Sequence, residues 1–306
     1  MRISFSKVST YLMCGELYRR VYECRDIRPP GMVLLRGRSF HRGAAKNFKQ
    51  KKDTGKDMPK FQIIEKMDAT FDYERRKDGC RLTREEQSIG KNKVLGQTRD
   101  CIRNLGEIFA DRFAPSVQPE WVEEKKVLKL ADADIELVSV LDLATRNKEI
   151  IEMKTASRNW SQQKTDIDMQ LTFESLMFRA ITGEEPARIQ LAAFVAKSKP
   201  DIQQLYTRRT IRDYQVLTNV LNRAMEGIQK GIFLPCERGH WKCNPKYCGF
   251  WYDCQYVNQE RLIYSIPKTK GGEKGGTRNL TGPTSPGNSD RGLGHSCEGR
   301  KLPDSF

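Results

Sequence analysis

The sequence has no run of about 18 apolar residues, which excludes a candidate transmembrane helix. Its opening stretch, MRISFSKVSTYLMC, lacks a sustained apolar core and a small-residue cleavage site. Export is therefore not expected, and a cytoplasmic location is. The Gly-x-x-x-x-Gly-Lys-Ser/Thr phosphate loop is missing, as is any helicase motif, so strand unwinding is expected to come from a partner. Histidine is scarce, with only His41, His240 and His295, and no internal repeat is visible. Acidic residues are in deficit: 39 Asp+Glu face 54 Lys+Arg across 306 residues, giving a formal charge of +15 and a pI near 9.4. Such an excess favours a polyanionic partner, nucleic acid first. Composition does not separate a nuclease from a passive binder. With 38% hydrophobic and 30% charged residues, the chain has apolar material for one large domain or two small ones.

The nine cysteines are odd in number and unevenly spread. A disulfide framework is not expected in an unsecreted chain of this size. Cys243, Cys248 and Cys254 form a C-x4-C-x5-C run; Cys236 lies just upstream and Cys14 far away. Cys24, Cys80, Cys101 and Cys297 stand alone and read as small hydrophobes or inert thiols. The three-Cys run needs a fourth ligand to hold a metal. Cys236 would complete a local zinc site. Cys14 would instead tie the two ends of the domain around a [4Fe–4S] cluster. Cys24 is a further candidate for the distant ligand.

Hydrophobic spacing predicts helices over 6–22, 34–52, 83–113 and 164–182, and an amphipathic helix from Ile211 closing at Gly231. Residues 51–60 read as a polar loop. Strands are predicted at 120–130, 135–145, 149–155, 188–196 and 203–207, with Arg146-Asn147 turning a hairpin. From about Ser265 the composition changes, and the last 42 residues hold nine of the 23 Gly with almost no large apolar side chains. Such a segment buries too little surface to offset the entropy of ordering. The expected organisation is an α/β domain over 1–264, with a helical N-terminal cover and a Cys-rich C-terminal end. A disordered tail is expected over 265–306.

The hairpin carries the candidate chemistry. Side chains alternate along a strand, so Glu152 and Lys154 share a face, roughly 6–7 Å apart. Asp142 lies among apolar neighbours on the preceding strand and can sit beside Glu152 if the strands pair. Two converging carboxylates repel unless a cation holds them or one is protonated. Oxygen ligands of this kind suit Mg²⁺ or Mn²⁺, and Lys154 could hold a water or offset charge on a phosphate. On spacing alone, a solvated polar face of an edge hairpin is an equal alternative. Lys46, Lys49, Lys51, Lys52 and Lys56, with Lys125-Lys126 and Arg208-Arg209, are either phosphate contacts or a solvated surface. Trp160 is either a stacking platform for a base or a core residue.

Asp142 followed by Glu152-Met153-Lys154 on the next strand resembles the core of the PD-(D/E)XK nuclease superfamily. More narrowly, the chain is similar to RecB-like exonucleases with an iron–sulfur cluster, a group that includes CRISPR-associated nucleases and phage exonucleases. Gly37-Arg-Ser-Phe-His41 matches the Gly-x-x-x-His of that family. Gln170-Leu171 falls where the family carries Gln-Leu, Cys14 follows Ser4-Phe5-Ser6, and the three-Cys run closes the domain. The resemblance spans roughly residues 3–256. The chain departs from it at Ser139, where the family has Gly, at Glu174, where it has Tyr, and at Gly15, where it has Pro.

The resemblance implies a RecB-like α/β fold, a mixed central sheet flanked by helices. It implies Mg²⁺ or Mn²⁺ held by His41, Asp142, Glu152 and the Met153 carbonyl, with Lys154 positioning the nucleophilic water and Gln170 orienting Lys154, water or substrate. It further implies a structural [4Fe–4S] cluster on Cys14, Cys243, Cys248 and Cys254, with structural Zn²⁺ as the alternative. The expected activity is exonucleolytic hydrolysis of single-stranded or end-containing DNA in recombination, repair or phage DNA metabolism. The rivals are a non-catalytic DNA-binding protein with a structural metal module, and an accessory nuclease trimming DNA beside a recombination, helicase or CRISPR-type partner.

Overall fold

The computed structural model describes residues 2–129, 136–237 and 239–257. The glycine-rich segment from 265 onward, with His295 and Cys297, lies outside them. A short strand β1 (Arg2–Ser4) leads into helix α1 (Phe5–Met13), capped by the Ser4 hydroxyl. The helix expected over 6–22 is interrupted at Cys14, whose extended backbone separates α1 from α2 (Gly15–Tyr18) and a wide turn over Arg19–Glu23. Helix α3 (Met32–Thr54) ends at Gly55. The predicted polar loop shrinks to 55–59, because α4 (Lys60–Asp78) starts at once. The helix expected over 83–113 is divided at Gly90, whose φ of 96° ends α5 (Arg84–Ile89) before α6 (Lys91–Ile108) begins.

The sheet holds six strands among the described residues. Strands β2 (Pro119–Lys129), β3 (Glu136–Thr145) and β4 (Glu149–Ala156) are followed by helices α7 (Gln162–Asp166) and α8 (Met169–Thr182). Strands β5 (Arg188–Val195) and β6 (Asp201–Thr207) and helix α9 (Ile211–Gln229) complete the order. The strand order is β1-β3-β4-β5-β6, with β2 against β3. β1 runs parallel to β3 and β4 parallel to β5; β2/β3, β3/β4 and β5/β6 are antiparallel. This is a mixed central sheet flanked by helices.

One sheet face packs on α3 and α6, with α4 packed against those two helices. There Phe40, Phe48, Phe109, Phe113 and Phe194 are fully buried, with the Phe40 and Phe194 rings 4.5 Å apart. The other face packs on α1, α8 and α9 through Ile3, Leu137, Phe173, Met177 and Leu217. Burial on both faces explains the continuous apolar run of β5. Gly37 lets α3 approach the sheet: a Cβ there would lie 3.3 Å from the Thr155 hydroxyl. That close contact sets His41, one turn further along α3, beside Asp142 on β3.

Candidate active site

The β3/β4 hairpin forms where expected, but its ladder is short. Only Leu143↔Ile151 and Ala144↔Ile150 pair. Asp142 and Glu152 would be the next opposed residues, and they sit where the strands part. The Asp142 carboxylate enters the gap, and its Oδ2 accepts from the Met153 backbone N–H at 3.1 Å. The Met153 side chain is buried in the core, so only its backbone faces the site.

His41 Nδ1 lies 3.3 Å from Asp142 Oδ2. Lys154 Nζ donates to Glu152 Oε1 at 2.5 Å and to Gln170 Oε1 at 2.7 Å. Gln170 Nε2 donates to Glu152 Oε1 at 2.8 Å and to Glu174 Oε1 at 2.9 Å. The Gln170 amide is therefore fixed in one sense, its oxygen toward the ammonium and its nitrogen toward two acids. Asp168 holds Gln170 in place by capping α8, its Oδ1 accepting from the Gln170 and Leu171 N–H groups. Partly buried Arg209 in turn holds the Thr165 and Asp168 carbonyls. The structure thus brings His41, Asp142, Glu152, Lys154 and Gln170 together.

Crowding of charge moves every titratable group. Burial, then the Asp142 charge, push the Glu152 carboxyl up to about 7, against the pull of Lys154. For Asp142, burial acts upward, but His41, Lys154 and the Met153 N–H outweigh it and hold the carboxyl low. Burial acts downward on His41, yet Asp142 and Glu152 raise its pKa. Burial likewise acts downward on Lys154, and the surrounding acids reverse it. Glu174 is raised well above the carboxylate range by burial and by the two neighbouring acids. Its membership of the network is a departure from the expected Tyr; the signal for it is its place one helical turn after Gln170.

The donor set is of the kind that suits a hard divalent cation: Asp142 and His41 border one hollow, and behind them Glu152 Oε2 is buried with no hydrogen-bond partner. Among the described residues, no three His, Cys, Asp or Glu side chains are already gathered as an ion site. The hollow, about 610 Å³, is bordered by His41, Asp142, Lys154 and Thr155.

Five cysteines converge elsewhere. Cys14, Cys236, Cys243, Cys248 and Cys254 line a single cavity of about 500 Å³. The structure therefore brings in both candidates for the fourth ligand. Burial, then the neighbouring Cys14 and Cys243, push the Cys236 thiol up to about 12. Gly15 makes the juncture: its N–H donates to the Leu234 carbonyl at 2.7 Å, a bond that proline cannot make. A Cβ at Gly15 would lie 2.7 Å from the Leu234 nitrogen. Cys24 is not among the residues lining the cavity; its sulfur accepts from Arg19 at 3.2 Å. Cys80 and Cys101 pack against the first core.

Several residues read as either phosphate contacts or solvated surface have partners within the fold. Lys51 is buried and holds Asp57 and the Ala114 carbonyl, so it is not available to a phosphate. Lys49 pairs with Glu123, and both Lys52 and Lys126 with Glu124. Arg209 is engaged within the fold. Trp160 packs beside Leu171, Ile189 and Leu191, with Lys164 Nζ 3.7 Å from its ring centre. It is a packing residue, not an open platform.

The chain matches the PD-(D/E)XK nuclease superfamily over residues 2–255. It belongs to that superfamily. Among solved structures, this PD-(D/E)XK chain is similar to a Eubacterium rectale protein named "Putative exonuclease", at 13% identity and a TM-score of 0.48, over 93% of this chain and 91% of that one. It is also similar to the protein SSO0001, at 14% identity and a TM-score of 0.33, over 72% and 84%. No curated protein matches the sequence. No helix among the described residues is long and apolar enough to cross a membrane.

Proposed function

We propose that this PD-(D/E)XK chain is a divalent-metal-dependent DNA exonuclease of the RecB-like type, acting on single-stranded or end-containing DNA. The supporting observation is the meeting of Asp142, Glu152 and Lys154 at the point where β3 and β4 part. His41, Asp142, Glu152 and the Met153 carbonyl would hold Mg²⁺ or Mn²⁺. When bound, such an ion lowers the pKa of its water and screens the phosphate charge. Lys154 holds the attacking water and faces the developing negative charge. Gln170 keeps the ammonium aimed by accepting from it. Asp142 stays ionised, because His41 and Lys154 hold it low. Glu152, raised to about 7 by burial and Asp142, would be held as a full carboxylate by a bound cation.

Cys14, Cys243, Cys248 and Cys254 fit a structural [4Fe–4S] cluster that joins the N-terminal helices to the cysteine segment. The place of Cys236 in the same cavity supports a second reading, a zinc site. Iron and sulfide in a brown protein favour the cluster; a colourless protein with one zinc overturns it.

The test of the activity uses end-labelled and circular DNA, single- and double-stranded, with Mn²⁺. Wild-type protein is expected to release nucleotides from linear DNA, and Asp142→Asn protein to release none. Binding without cleavage would make the chain a passive DNA-binding protein. Stable association with an integrase-type partner would favour the accessory trimming role.

A further inference from the structure

The hollow at the candidate active site has two unlike walls. One carries His41, Asp142 and Lys154. The other belongs to the cysteine segment and presents Lys242, Lys246 and Tyr247. A second hollow of about 480 Å³ adjoins the first, sharing Arg81, Thr83 and Lys246 and continuing to Tyr252. Arg81 fixes the wall, donating to the Pro245 carbonyl at 2.8 Å and to the Lys246 carbonyl at 3.3 Å. Of the acids along the way, Glu86 accepts from the Thr83 N–H within the α5 cap, Glu123 pairs with Lys49, and Glu85 makes a long, exposed pair with Lys246 at 3.6 Å, weak enough for a phosphate to displace. Tyr247 and Tyr252 are about half exposed, at 44% and 51%. Trp241 stands edge-on to Tyr247 at 5.3 Å, and the Arg84 guanidinium lies 5.7 Å from the Tyr252 ring.

Exposed rings beside lysines make a surface that takes stacked bases on one side and phosphates on the other. Hollows of a few hundred Å³ enclose a nucleotide-sized ligand, not a duplex. We infer that the cysteine segment is a single-strand DNA track: Tyr247 and Tyr252 stack bases, and Lys242 and Lys246 hold phosphates of the strand leaving the hydrolytic hollow. This rests on the nuclease reading for the direction of the strand, but not on which metal the thiols bind. It also gives the thiol cavity a second consequence, since Lys242 adjoins Cys243, and Lys246, Tyr247 and Tyr252 are flanked by Cys243, Cys248 and Cys254. Loosening them weakens strand capture.

The experiment measures binding of the full chain to a fluorescent single-stranded oligothymidine and to a blunt hairpin duplex, in EDTA, by anisotropy. Tyr247→Ala and Tyr252→Ala are each expected to weaken the single strand about tenfold and to leave the duplex unchanged. Tyr247→Phe and Tyr252→Phe keep the ring and bind as wild type. Lys242→Gln and Lys246→Gln each reduce the slope of log K against log salt by about 0.7. Unchanged single-strand affinity in the Ala variants overturns the track, as does an equal loss for both DNAs or a loss in the Phe variants. Wild-type protein that binds the single strand but does not cleave it with Mn²⁺ would leave the track standing and remove the nuclease reading. Cleavage by wild type with unaltered binding by the variants would do the reverse.

Discussion

Replacing Glu152 by Gln should change the pH dependence of stability in the metal-free protein, and in a calculable sense. Glu152 is only 3% exposed, and its carboxyl is raised from an ordinary 4.5 to about 7 by burial and then by Asp142. The unfolded chain ionises this group more readily than the folded one. Stability from it is therefore complete below pH 4.5 and is withdrawn as pH rises through 7. At about 1.4 kcal/mol per pH unit over that window, the loss is about 3 kcal/mol. His41 is also raised, so its contribution falls with rising pH as well; the part due to Asp142 is present in both proteins, and the smaller part due to Glu152 is lost in the variant. Asp142 is lowered, so its contribution is lost only as pH falls toward the acid range. Gln keeps the shape of Glu152 and carries no charge. Between pH 4.5 and 8, Glu152→Gln protein should gain about 3 kcal/mol relative to its parent. Urea unfolding of chelator-dialysed protein, followed by tryptophan fluorescence across that range, measures it. Adding Mn²⁺ at pH 8 should restore the parent and not the variant. Parallel pH profiles for the two proteins would refute the buried, charge-crowded account of Glu152.

Lys154→Ala protein that melts like its parent should lose roughly 10²–10³-fold in nucleotide release; undiminished release would remove Lys154 from the reaction. Glu174→Gln keeps an acceptor for the Gln170 amide and should retain most activity, whereas Glu174→Ala frees that amide and should lower kcat more than it changes KM. Gly15→Pro loses the Leu234 hydrogen bond and places atoms against the Leu234 backbone, and should cost about 2 kcal/mol or more in thermal unfolding. The same variant should make Cys14 more reactive to a thiol reagent. Phe40→Ala opens the aromatic core and should cost about 3–5 kcal/mol, read from the same melts.

The hairpin was legible because two short alternating runs flank a turn signal at Arg146-Asn147. Its register depends on a third loop residue, Lys148 at a φ of 61°, which sets Asp142 rather than Leu141 against Glu152. Cysteine spacing was equally open to reading, but the choice between Cys14 and Cys236 was not. Both reach one cavity, because a backbone contact between Gly15 and Leu234 folds distant segments together. Strand β1 escaped notice for the same reason: three residues gain strand geometry only from β3, more than 130 positions away. Helix α4 was hidden by its charge, since its buried stripe of Ile63, Met67 and Phe71 is thin among Lys, Arg, Asp and Glu. The break at Gly90 was visible in principle as a glycine inside a polar helical pattern. Lys51 read as one more surface lysine, because only the folded arrangement supplies the carbonyls that its ammonium satisfies.

The Asp142 side chain also completes the sheet. Where the strands diverge, its oxygen serves in place of the carbonyl that a continued ladder would have offered to Met153. A silenced protein made by truncation to Ala would therefore carry two lesions, one chemical and one architectural, with a buried amide left unanswered at a cost of about 1–3 kcal/mol. Asn retains an oxygen for that amide, which makes it the faithful choice for trapping DNA without cutting it.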